Sequence, residues 1–257
     1  KTDVRYHPLS RPNEVEGGAV RRLMELALDA GAPAWVVHLS TSEGMQEIRA
    51  ARKKGLRVLV ETCPQYLTLT DEVYIKQDFE GAKYVCSPPI RSLKDKEELW
   101  NAVKDKEVDI ISTDHCSYNF KGQKELGRED FSKIPNGLPG VEHRPALIWT
   151  CGVGGGKITP EDMAALLSEN PARAFGMYPQ KGALEPGSDA DIVIWDPDFR
   201  RKLTAKEQLQ RVDYSPWEGI ELEGRARAVF LRGELCAENG KIIKGPRGKY
   251  VPRRAAW

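Results

Sequence analysis

Ala34-Trp35-Val36-Val37-His38 is a short apolar run closed by a histidine, and Val108-Asp109-Ile110-Ile111-Ser112-Thr113-Asp114 repeats the pattern with an aspartate. Both runs read as buried strands with a metal-ligand type of residue at the carboxyl end. In parallel α/β architectures that end is where active sites are built. Upstream of the first run, Val15, Val20, Leu23, Leu26 and Ala27 have helical spacing, and Gly31 stops that helix. Ser42 caps a second helix, with Met45 and Ile48 on its apolar face and Gly55 at its end. Arg57 to Glu61 reads as a strand, Thr70 to Gly81 as a polar connection, and Tyr84-Val85-Cys86 as a short strand. Ser87-Pro88-Pro89 ends that strand, since proline cannot continue a ladder. A charged helix follows over 94–104, with Leu99, Trp100 and Val103 inward, and then the 108–113 strand. This alternation predicts βα units and a parallel sheet.

Past Asp114 the pattern loosens. Cys116 to Pro139 is a long irregular segment, and segments of that length are usually functional or disordered. Helices are predicted over 141–150, 160–167 and 171–175. The character changes near Gly182, where apolar strands at 191–195 and 226–231 alternate with Gly and Pro turns. The predicted organisation is therefore an α/β domain over 1–181 and a small all-β module over 182–257.

At 257 residues the chain can bury a substantial core, and its net charge of +1 gives no general pull toward nucleic acid or a membrane. No stretch approaches the roughly 20 apolar residues of a membrane span. Cys63, Cys86, Cys116, Cys151 and Cys236 are an odd, scattered set without a CxxC, which predicts reduced thiols and a cytoplasmic protein. The polar opening Lys1-Thr2-Asp3 shows no signal peptide, and without an initiator methionine a processed or partial chain is expected.

Each candidate site residue has a plain alternative. A histidine after a strand is more often held by backbone groups than by a metal. Asp114 could equally cap a helix or anchor a loop. His115 points opposite to Asp114 on a strand, so at most one of them faces a pocket. Ser87 and Asn136 lie in rigid, Pro-bounded loops whose commoner role is turn formation, although rigid backbone groups also suit a flat polar ligand. His7 and His143 close no strand and read as structural or surface residues. Gly152, Gly154, Gly155 and Gly156 lack the flanks of a phosphate loop.

Five motifs occur in order: Val36-Val37-His38-Leu39-Ser40, Glu61-Thr62-Cys63-Pro64-Gln65-Tyr66, Cys86-Ser87-Pro88-Pro89-Ile90-Arg91, Ser112-Thr113-Asp114-His115-Cys116, and the run from Phe131 through Ile134-Pro135-Asn136-Gly137 to Arg144. Together they resemble the carboxyl-terminal part of a D-hydantoinase or dihydropyrimidinase, within the cyclic amidohydrolases. The likeness extends through Asn170–Gly176, Gly187–Val193 and Gly248–Arg253. It implies the carboxyl-terminal portion of a (β/α)8 TIM-like barrel, with part of a small β-sandwich module behind it. It implies two divalent metal ions, usually Zn2+ with Mn2+ or Co2+ possible. His38 would bind one metal; Asp114 would bind the other and carry the proton; Ser87 and Asn136 would hold the substrate through backbone groups. The implied reaction is hydrolysis of the cyclic amide of a hydantoin or dihydropyrimidine to an N-carbamoyl amino acid, in a cytoplasmic homotetramer with no nucleic-acid or membrane partner.

The family's early His-x-His pair, its bridging carboxylated lysine and a further histidine have no counterpart here. They are expected upstream of Lys1, so the 257 residues alone are expected to be inactive and poorly soluble. The rivals are an allantoinase or dihydroorotase, disfavoured by the segment from Asp114 to Arg144, and a non-catalytic scaffold relative, disfavoured by the retention of both His38 and Asp114.

Overall fold

A parallel sheet with strand order β1-β2-β3 underlies the first part of the chain, in a computed structural model that describes residues 1–245 and 247–255. Its strands are β1 (Ala34–Val36), β2 (Val58–Thr62) and β3 (Ile110–Ile111), with Ala34 opposite Val58 and Glu61 opposite Ile110. The elements α1 (Tyr6–Leu9), α2 (Asn13–Ala30), α3 (Ser42–Lys53), α4 (Pro64–Thr68) and α5 (Leu93–Lys104) alternate with these strands. The α/β class is the predicted one. Local chemistry accounts for the helix ends. The Thr41 hydroxyl accepts from the Gly44 amide at 3.1 Å to start α3, and Gly31 takes the left-handed conformation (φ 61°) that ends α2. Gly17 lets α2 approach α3 closely, since a Cβ there would meet Glu43 Cβ at 2.9 Å.

Met45 and Ile48 of α3, Val60 of β2, Leu99 of α5 and Ile111 of β3 are fully buried and form the centre of this core. Replacing Leu99 by alanine is expected to cost about 2–5 kcal/mol, the lost transfer energy plus a cavity. The check is the shift in urea midpoint, followed by circular dichroism.

Three local expectations are corrected. The strands predicted over 34–39 and 108–113 are shorter, because the chain leaves the ladder and turns into the left-handed region at His38 (φ 42°) and Asp114 (φ 46°). Tyr84-Val85-Cys86 is not a strand. Glu80–Tyr84 is a 3-10 turn, and the Val85 carbonyl is taken by the Gly137 amide (3.0 Å) and Lys124 Nζ (2.7 Å) instead of a ladder partner. The helix predicted to begin at Val141 starts at Arg144, because the Gly140 and Val141 amides donate to the His115 ring.

Two compact units divide the chain. The first joins Lys1–Arg144 to Leu203–Ile220. That later segment is held within the unit by Trp217 Nε1 donating to Thr68 Oγ1 (2.8 Å), and by the Asp213 carboxylate accepting the Phe120 (2.6 Å) and Lys121 (3.0 Å) amides. The second unit comprises Pro145–Lys202 and the chain from Glu221 onward. It carries an antiparallel sheet of β4 (Ile192–Lys202), β5 (Glu221–Leu231), β6 (Glu234–Glu238) and β7 (Lys241–Ile242). The sequence segments 1–181 and 182–257 do not coincide with these units. No helix among the described residues is long and apolar enough to cross a membrane.

Candidate active site

The carboxyl ends of the three parallel strands meet at one edge of the sheet. The Leu39 amide donates to the Glu61 carbonyl (2.8 Å), and the Ser112 amide donates to the Thr62 carbonyl (2.9 Å). His38 and Asp114 therefore flank the end of β2 from either side. Among the described residues, neither side chain has a hydrogen-bond or ion-pair partner; His38 is half-buried and Asp114 exposed. Both sit in left-handed backbone. Non-glycine residues held there are uncommon, and such strain concentrates at functional sites. His115, next in chain, behaves differently: its Nδ1 accepts from the Gly140 (3.1 Å) and Val141 (3.3 Å) amides, which makes it a loop fastener.

The turn after His38 is held by charges that the sequence reading did not single out. The Glu16 carboxylate on α2 accepts from the Ser40 amide (2.8 Å), the Ser40 hydroxyl, and the Thr41 amide and hydroxyl (3.1 Å each). Arg91 Nη2 pairs with it at 3.3 Å, while Arg91 Nε donates to Ser40 Oγ at 3.1 Å. Nothing in the sequence distinguishes these two from solvated charges, because their partners lie in distant segments.

Ser87 and Asn136 occupy two loops joined to each other. The Val85 carbonyl accepts from Gly137 N, the Cys86 carbonyl from His7 Nε2 (2.8 Å), and the Pro88 carbonyl from Tyr66 Oη (2.9 Å). On the other loop, Lys124 Nζ holds the Pro135 and Gly137 carbonyls (2.8 Å each), and the Cys116 amide holds the Leu138 carbonyl (3.1 Å). Among the described residues the backbone N–H and C=O groups of Ser87 and Asn136 are left without partners inside this fastened frame. Asn136 also buries its Oδ1 without a hydrogen bond.

Other polar groups at the edge are Glu61, bonded by the Ser112 hydroxyl, and Arg144, whose Nη1 donates to the Ile111 carbonyl (3.2 Å) while its buried Nε has no partner. Burial lowers the Arg144 pKa, and the nearby Glu61 carboxylate opposes that shift. Burial pushes the Cys63 thiol well up and the Cys86 thiol up to about 12, so both stay protonated at neutral pH.

His7 and His143 are buried and structural. Burial depresses the His7 pKa from 6.5 to about 4, opposed by its bond to the Cys86 carbonyl and reinforced by the Arg11 charge. The folded state therefore releases a proton that the unfolded chain still holds between pH 4 and 6.5, and stability falls as the pH drops through that window. The loss is on the order of 3 kcal/mol. His7→Gln is expected to flatten this acid limb in urea midpoints measured against pH; an unchanged slope would count against it.

The donors present fit part of a metal shell. An imidazole nitrogen and a carboxylate, both unpartnered, suit a divalent ion. Among the described residues, however, no group of three or more His, Cys, Asp or Glu side chains is gathered closely enough to hold one alone.

Comparison with known proteins identifies the family. The model of the amidohydrolase family matches residues 14–236. The chain is 44% identical over 255 residues to the D-hydantoinase of Ralstonia pickettii, covering 99% of this chain and 56% of that protein. It is 44% identical over 253 residues to the D-hydantoinase of Geobacillus stearothermophilus, covering 98% and 54%. A solved D-hydantoinase structure superposes with a TM-score of 0.97 at 43% identity, covering 100% of this chain and 56% of that one. The dihydropyrimidinase from Brevibacillus agri superposes at 0.92 with 44% identity, covering 94% and 52%. The chain thus spans about half the length of the relatives it matches.

Proposed function

The chain belongs to the amidohydrolase family, and on that footing we propose that it supplies one part of the active site of a metal-dependent cyclic amidase acting on hydantoins or dihydropyrimidines. The observation that carries this is the edge itself. Among the described residues, two unpartnered ligand-type side chains, His38 and Asp114, stand with two fastened loops in which the backbone groups of Ser87 and Asn136 are among those left free. A flat cyclic ureide presents alternating C=O and N–H groups, and rigid backbone N–H and C=O groups can pair with that pattern without adding charge.

When bound, a pair of divalent ions lowers the pKa of water toward neutrality and polarises a carbonyl oxygen. His38 would hold one of them through an imidazole nitrogen, and Asp114 the other through a carboxylate oxygen. The Asp114 carboxylate takes a proton from the attacking water and passes it to the departing ring nitrogen. Water oxygen bonds to the ring amide carbon, the C–N bond breaks, and the product is an N-carbamoyl amino acid. Ser87 and Asn136 keep the ring in register while this happens. Zinc is the metal expected, with manganese or cobalt as alternatives, in a cytoplasmic homotetramer whose complete domain is a (β/α)8 barrel with a β-sandwich module.

Two ligands cannot hold two metals, so the remaining donors are assigned to a segment outside these 257 residues. Hydrolysis of hydantoin by these residues alone would count against this. Metal analysis of the complete protein tests the proposal: about two divalent ions per chain are expected. A metal-free, folded protein would overturn it in favour of a scaffold role.

A further inference from the structure

We propose that Lys124 is the positioning residue that fastens the two substrate loops into one clamp, fixing the spacing between the backbone groups of Ser87 and Asn136; this rests on the function proposed above. Its ammonium has three N–H donors, and three carbonyls meet it: Val85 at 2.7 Å, and Pro135 and Gly137 at 2.8 Å. One acceptor lies two residues before Ser87, and the other two bracket Asn136. The side chain is completely buried (0% exposed), which is unusual for a residue that ordinarily keeps its charge in water. Among the described residues no carboxylate pairs with it, so the charge is balanced by carbonyl dipoles.

Donor count explains the residue type. A neutral amine has two N–H donors and would leave one buried carbonyl unmet. An arginine carries five donors in a flat fork that does not match three carbonyls converging on a point. Burial lowers the Lys124 pKa to about 8, which still leaves the ammonium dominant at neutral pH. Gly137 belongs to the same device. Its amide donates to the Val85 carbonyl, and a Cβ at Gly137 would meet the Cys116 carbonyl oxygen at 2.6 Å. With the surrounding carbonyls occupied, Ser87 and Asn136 keep their own backbone groups for a ligand. Sequence reading missed this role, because a lysine in a charged, irregular segment reads as a surface residue.

Backbone groups that hold the ring bind ground state and transition state alike. Their loosening therefore raises KM more than it lowers kcat. In the complete, metal-loaded protein, Lys124→Met is expected to raise KM for a 5-substituted hydantoin or dihydrouracil by about tenfold or more. The same variant should change kcat by less than about threefold and leave the metal content unchanged. Amide hydrogen exchange should quicken in 85–88 and 135–138, while the strands 34–36, 58–62 and 110–111 stay protected. An unchanged KM with unchanged exchange would overturn the proposal, as would an equal loss of protection throughout the first unit. If neither Lys124→Met nor Lys124→Gln folds, Lys124 supports the whole unit and the clamp is rejected. If the unsubstituted complete protein hydrolyses no cyclic amide, the proposed function fails, and the clamp is then judged by the exchange pattern alone.

Discussion

Asp114→Asn in the complete, metal-loaded protein is expected to lower kcat for cyclic amide hydrolysis by about 10²–10⁴-fold, with almost no change in stability. The substitution is nearly isosteric and removes the charge and the basicity, and with them the carboxylate proposed to hold a metal, so metal content is measured in the same preparation. Asparagine is also among the few residues at ease in the left-handed backbone that Asp114 adopts (φ 46°), so the chain path is preserved. Asp114 is exposed and makes no hydrogen bond among the described residues. The urea midpoint should therefore move by no more than about 0.5 kcal/mol equivalent. A variant that keeps kcat within tenfold of the parent would show that Asp114 does not carry the proton. A variant that loses activity and stability together would show a structural role.

The second large effect concerns a residue that touches neither metal nor substrate. Glu16→Ala is expected to destabilise the fold by about 3–5 kcal/mol, because it strips the partner from a buried arginine and leaves a charge uncompensated. Arg91 and Glu16 side chains are 6% and 13% exposed, so solvent offers little relief. The Ser40 and Thr41 amides lose their acceptor in the same step. Those amides lie two and three residues after His38, so in the complete protein metal affinity should also fall, by about 10–100-fold, as for other groups that orient a ligand. Urea denaturation reads the first effect and metal titration the second. A loss under about 1 kcal/mol would mean that the pair is solvated and that the turn after His38 is held by other contacts. Arg91→Met combined with Glu16→Ala should be milder than Glu16→Ala alone, since no charge is then left buried without a partner.

Legibility in the sequence followed the range of the interactions involved. The helix predicted from the spacing of Val15, Val20, Leu23, Leu26 and Ala27 is the observed Asn13–Ala30, because helical spacing and a Gly31 stop are local signals, although its buried face is Gly17, Val20, Met24 and Ala27 while Val15, Leu23 and Leu26 are exposed. The helices Ser42–Lys53 and Leu93–Lys104 and the three parallel strands were legible for the same reason, whereas the short helices Tyr6–Leu9 and Pro64–Thr68 were not. The exit of His38 and Asp114 from their strands was not, since neither is a glycine and the apolar runs continue up to them. Tyr84-Val85-Cys86 looked like a strand because its apolar character is real. That character serves burial, while the Val85 carbonyl is claimed by Lys124 and Gly137 from some forty to fifty residues away in sequence. Glu16, Arg91, Lys124 and Arg144 share one obstacle: a charged residue carries no mark of burial until its distant partners are known. The four candidates His38, Asp114, Ser87 and Asn136 were reached through motif order, and their proposed roles depend on it still. What the fold adds, among the described residues, is the contrast between the His38 and Asp114 side chains and the Ser87 and Asn136 backbone groups, left unpaired, and His115, His7 and His143, which are engaged elsewhere.

The most direct test is a substrate panel on the complete, metal-loaded protein, with 5-substituted hydantoins, dihydrouracil, allantoin and dihydroorotate offered in parallel. Ring opening of a hydantoin or of dihydrouracil to its N-carbamoyl product, faster than turnover of allantoin or dihydroorotate and lost on chelation, is the expected result. Preferred turnover of allantoin or dihydroorotate would move the protein to a neighbouring activity, and no hydrolysis of any member by a metal-loaded protein would contradict the proposed function.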